Sequence, residues 1–192
     1  MNPPEKKRLF WAGIDRMIAW CRANAITEPD VVEAPEPVTY GTCAFYRSGV
    51  ITIHVPSCAA VGTAGRSWSF PGYTVDRTPY GVLAHELGHH VDGAHGFAGG
   101  RFGRYLKVEC GEDSLTTYAP NLNEYFAEFF RLFVTNPDLL RLIRPRTFAV
   151  LGRQWQVVET RPWDVVLADA PGGRQLNAAR RKIERAQKGE RK

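Results

Sequence analysis

The sequence predicts a single α+β domain with a small mixed sheet, a helix carrying His-Glu-x-x-His, and a second helix carrying paired glutamates. Three observations lead there. A β-rich hairpin pattern occupies residues 40–55, helical patterns follow near 79–93 and 124–134, and 192 residues with 44% hydrophobic and 11% aromatic content suffice for one core. That composition excludes a disordered chain, and the 13 Pro and 18 Gly follow no collagen-like period. No apolar run approaches the roughly 18 residues of a membrane helix. Met1–Trp20 is interrupted by Glu5, Lys6, Lys7, Arg8, Asp15 and Arg16, which argues against a secretory signal. A cytoplasmic protein with no membrane partner is expected.

In chain order, Leu9–Ala25 places Leu9, Trp11, Ile14, Met17, Ile18 and Cys21 at helical spacing, which predicts an amphipathic helix. Thr27–Pro37, with three prolines and four acids, reads as a linker, so residues 1–37 form an N-terminal helix and acidic tether. Tyr40–Arg47 and Val50–Val55 are strand-like and separated by Ser48-Gly49, which predicts a hairpin. Val50–Val55 is the expected edge strand, ended by Pro56. Ala59–Gly72 is rich in Gly, Ser and Thr with Trp68 and Phe70, and suits a loop or an aromatic flap. Thr78-Pro79 can open a helix that Gly93 closes. Ala94–Arg104 reads as loop, and Asn121 or Asn123 can cap a helix over Glu124–Val134 that stops before Asn136-Pro137. Leu139–Ile143 suggests a short helix, and irregular packing is expected from there to about residue 170, the end of the main domain (38–170). Residues 171–192 form a basic tail.

Charge and cysteines add two expectations. Residues 1–140 carry 12 Lys+Arg against 15 Asp+Glu, whereas 141–192 carry 13 against 5, so the net charge of +5 arises in the C-terminal quarter. That quarter could engage nucleic acid or an acidic partner through counterion release, although no nucleic-acid motif accompanies it. Cys21, Cys43, Cys58 and Cys110 lie far apart without a C-x-x-C pair, and are read as reduced thiols.

The chemistry concentrates in Ala84-His85-Glu86-Leu87-Gly88-His89-His90-Val91-Asp92. On a helix, residues i and i+4 share a face, so His85 and His89 can direct imidazole nitrogens at one metal ion. Glu86, turned about 100° from His85, can address the water on that ion. A metal-activated water with a carboxylate to take its proton hydrolyses peptide bonds. Roughly one random chain in a hundred of this composition would show the pattern, so the helical context and the small Ala84 and Gly88 add weight. His90 and His54 are assigned to packing or solvent contact.

A catalytic zinc site keeps three protein ligands and one open position, so a third ligand is needed. His95, six residues after His89, has metzincin spacing. Against it, the only methionines are Met1 and Met17, so no Met-turn follows, and Asp92 stands where metzincins have Gly. Glu124 and Glu128 are the other source: they lie i, i+4 on an apolar helix, where two carboxylates facing the core need a partner. Otherwise both face solvent, pairing with Arg131.

Asn123-Glu124-x-x-Ala127-Glu128 is similar to the gluzincin pattern Asn-Glu-x-x-Ser/Ala-Asp/Glu. More closely, Pro79–Phe133, with H-E-x-G-H-x-V-D, Tyr118 and Glu-aromatic-Phe-Ala-Glu-x-Phe-Arg-Leu, resembles the zinc-binding core of the anthrax lethal factor catalytic domain. The resemblance implies a zincin-like fold, one Zn2+ and a peptide or protein substrate, in a metallopeptidase of bacterial or phage type. It assigns zinc ligation to His85, His89 and Glu124 and makes Glu86 the general base. Tyr118, one residue nearer the ligand Glu than in that family, becomes the phenol that stabilises the oxyanion or protonates the leaving amine. Glu128 becomes the acid that orients His85, and Asp92 a helix-end or supporting acid.

Overall fold

A computed structural model describes residues 3–36, 43–57, 79–97 and 121–158, together with Arg181. Helix α1 spans Pro3–Ala23, so the polar leader joins the helix rather than preceding it, as proline in a first turn permits. Its buried face is Phe10, Met17, Trp20 and Cys21. The helix stops two residues before the expected end. Ala25 adopts φ 54°, and the Ile26 N–H returns to the Cys21 carbonyl at 2.9 Å, a left-handed stop that satisfies the last carbonyls.

The segment read as a linker carries strand β1, Asp30–Glu33. β2 (Ala44–Arg47) and β3 (Val50–Ile53) form the expected hairpin, with Ser48 and Gly49 at φ 50° and 87°, the two positive values of a type I′ turn. The sheet order is β1-β3-β2, parallel between β1 and β3 and antiparallel between β2 and β3. This corrects the expected edge: β3 is the central strand, with Ile51 and Ile53 buried, and β2 and β1 flank it. Flanking strands saturate its backbone on both sides, which alternation along one strand cannot reveal. β3 ends at Ile53, and Val55–Ser57 turns into a short 3-10 helix.

Helix α2 covers Pro79–His95 and α3 covers Leu122–Thr135; α4 (Pro137–Ile143) and α5 (Pro145–Leu151) follow. Gly93 does not close α2. The helix runs on to Gly96, which takes φ 64° and donates its N–H to the Asp92 carbonyl. Asn121 caps α3, its side-chain oxygen accepting the N–H groups of Asn123 and Glu124. α5 occupies a stretch expected to be irregular; Pro145 opens a helix there rather than breaking one.

Leu83, Leu87 and Val91 of α2 meet Phe126, Phe129, Phe130 and Phe133 of α3 in the core, and Trp20 of α1 packs edge-on against Phe130 at 5.2 Å. The two site helices touch at Gly88, where a Cβ would stand 2.8 Å from the Ala127 Cα. Only hydrogen fits there. Gly88→Ala should force the helices apart and cost about 1–3 kcal/mol, the overpacking scale, measurable as a lower urea midpoint. An unchanged midpoint would show that the helix pair can shift freely.

Cys21 is a buried free thiol, its pKa pushed up to about 12 chiefly by burial, which makes it inert. Cys43 is disulfide-bonded, correcting the expectation of a reduced thiol. Sequence spacing carries no information on which cysteines the fold brings together. Among the described residues, no helix is long and apolar enough to cross a membrane.

Candidate metal centre

His85, Glu86 and His89 project from the middle of α2, and Glu124 and Glu128 from the first two turns of α3. The Gly88–Ala127 contact brings the two rows together. His85 Nε2 lies 3.1 Å and His89 Nε2 3.4 Å from the same oxygen, Oε2 of Glu124. The donor atoms of these three residues all fall within 4.8 Å of one another and could hold a metal ion. Tetrahedral zinc with bonds near 2.0–2.1 Å sets its donors about 3.3 Å apart, so the observed spacing fits such an ion. His95 is exposed at the end of α2, beside Phe97 at 5.5 Å between ring centres, and is not in the group.

Behind the donors is a buried chain of ion pairs. His85 Nδ1 donates to Glu128 Oε1 at 2.6 Å, and Arg131 donates to the other Glu128 oxygen at 2.5 Å. Glu128 and Arg131 are 1% and 3% exposed, so Arg131 pairs with Glu128 inside the core and not at the surface. Burial alone would neutralise Glu128, but Arg131 and His85 hold its carboxyl below the usual range. Burial likewise opposes a charged His85, yet Glu124 and Glu128 outweigh it and push its pKa up to about 9. Glu124, though partly desolvated, is pulled down to about 2 by the two imidazoles. The centre is thus a compact cluster of opposite charges, with both carboxylates held in their ionised form.

Glu86 stands apart from this cluster. Its carboxyl is raised, first by burial and only partly offset by the neighbouring histidines. A cavity of about 460 Å³ opens over it, lined by Ala44, Phe45 and Tyr46 of β2 on one side and His85, Glu86, His89, Asp92 and Glu124 on the other.

No family model, curated protein or solved structure matches this chain. Geometry and chemistry carry the functional reading by themselves.

Among the sequence-derived candidates, the structure therefore gathers His85, Glu86, His89, Glu124, Glu128 and Asp92 around one cavity or directly behind it, and leaves His95 outside. Tyr118 lies outside the described residues, as do Ala59–Gly72 and, apart from Arg181, the basic tail. His54 is buried, with Nδ1 2.5 Å from Ser57 Oγ, in keeping with a packing role. Two participants escaped the sequence reading. Arg131 is one: its i, i+3 spacing from Glu128 was legible, but not that the pair faces inward. Tyr46 is the other: its place in the cavity wall depends on how β2 packs beside α2, which the sequence does not display.

Proposed function

We propose that this protein is a zinc-dependent endopeptidase with a zincin-like site. The observation that carries the reading is the convergence of His85 Nε2, His89 Nε2 and Glu124 Oε2 beside the buried carboxyl of Glu86, all facing one open cavity. His85, His89 and Glu124 would hold the ion, and Glu128 fixes the His85 ring by accepting its Nδ1–H. When bound, zinc supplies Lewis acidity toward a carbonyl oxygen and brings the pKa of water to about 7.

Glu86 takes a proton from the attacking water and returns it to the leaving amine. Tyr118 is proposed as the donor to the developing oxyanion. The substrate is a peptide lying along β2, which flanks the described sheet and forms one wall of the cavity.

The reading is tested by determining zinc in the purified protein and screening a peptide library for cleavage by mass spectrometry. One equivalent of zinc is expected, with cleavage lost to a chelator and restored by stoichiometric zinc. Cleavage indifferent to chelation, or a folded protein that takes up no zinc, would overturn it.

A further inference from the structure

Glu124, Glu128 and Arg131 stand at i, i+4 and i+7 on α3, so they form one stripe along the helix face that meets His85 of α2. The stripe descends from the cavity into the core: Glu124 lines the cavity, whereas Glu128 and Arg131 are buried. Glu124 belongs to the converging donors and Glu128 supports His85, but the proposed reaction makes no use of Arg131.

A buried guanidinium needs a reason. Arg131 has given up its hydration, and among the described residues its Nε has no hydrogen-bond partner. Apolar side chains of similar volume often replace a buried ion pair at no cost in stability, so stability does not account for a cation among Phe129, Phe130, Leu132 and Phe133. What the cation touches is Glu128. A terminal nitrogen of Arg131 donates to Oε2 at 2.5 Å, while His85 Nδ1 donates to Oε1 at 2.6 Å. A carboxylate held by one oxygen can still turn about its last bond, whereas one held at both has a fixed plane and fixes the ring that donates to it. With Oε2 taken by the guanidinium, Oε1 is left for Nδ1, and the opposite ring nitrogen, Nε2, faces Glu124 Oε2 at 3.1 Å.

We propose that Arg131 is a positioning residue for the metal centre: its guanidinium clamps Glu128, and the clamped carboxylate holds the His85 ring with Nε2 toward the ion. The role rests on the reading of His85 as a zinc ligand. Charge alone works the other way, because a cation behind the site repels a dication. Clamping and electrostatics therefore predict opposite signs when Arg131 is removed.

The test is a double-mutant cycle on zinc affinity in the full chain, with wild type, Arg131→Met, Glu128→Gln and the double variant, each shown folded by circular dichroism. Arg131→Met should weaken zinc binding about 10-fold in the wild-type background, the lower end of the range for groups that support a ligand. Once Glu128 is glutamine the same change should cost less than about 2-fold, since an amide that accepts from His85 turns its NH2 toward Arg131 and cannot be clamped. In the metal-free protein, labelled with 15N, the His85 Nδ1 proton should exchange with water at least about 10-fold faster in Arg131→Met. Tighter or unchanged zinc binding in Arg131→Met, an equal loss in both backgrounds, or unchanged exchange of the His85 proton would overturn the proposal. Should Arg131→Met not fold, Arg131→Lys, which keeps the charge and loses the planar fork, goes through the same cycle with a loss of the same sign expected, and the same outcomes decide. If the wild type binds no zinc, the metal reading fails by itself, and proton exchange alone decides whether Arg131 holds Glu128 to His85.

Discussion

Glu86→Gln should bind one equivalent of zinc and turn over peptide about 10²- to 10⁴-fold more slowly than wild type, the range for removing a general base. The carboxyl is buried beside His85 and His89 but is not one of the three converging donors, so the ion should stay. An amide of the same shape fills the same buried volume, which separates proton transfer from packing. Zinc content, kcat and KM measured on one preparation decide the matter. Near-normal turnover would remove Glu86 from the chemistry, and loss of zinc would make it part of the metal shell.

The second large effect concerns the third donor. Glu124→Ala should lose zinc affinity by several orders of magnitude, because it removes the one oxygen on which both imidazoles converge. Glu128→Gln should lose about 10- to 100-fold, since His85 keeps a partner on Nδ1 but a neutral one. His95→Ala should change affinity by less than about 2-fold, as its ring is exposed and outside the donor group. Competition with a chromophoric chelator ranks all three, after circular dichroism has shown each to be folded. Glu128→Ala is the less useful variant. It would leave Arg131 and a charged His85 buried without their anion, a loss of about 3–5 kcal/mol that could unfold the protein before metal is considered.

The candidate metal centre was legible because its signals are local. His85 and His89 repeat at i, i+4, Glu124 and Glu128 do the same, and Asn121 announces the helix that carries the second pair. What was illegible depends on partners distant in sequence. Val31 and Val32 stand among prolines and acids, and only pairing with β3, parallel at Val31↔Ile51, makes them a strand. Gly93 looks like a helix stop, yet it remains helical beside the Tyr46 phenol, and the positive φ falls at Gly96. His90 has the composition of a packing residue; its place between Tyr46 and Thr27 follows from the docking of three separate segments.

The parallel pairing of β1 with β3 also constrains how the sheet closes. β1 cannot be closed into the sheet by a tight turn, because a parallel partner must come back in the same direction, and here the intervening β2 runs the opposite way. β1 is therefore completed as a strand only by a partner that lies beyond the hairpin turn. In the finished core, residues of α1, α2, α3 and β3 form one continuous apolar cluster. The charged groups of the site meet across 39 and 43 residues of chain, and the nonpolar contacts of α2 and α3 beneath them supply the driving force that holds those helices together.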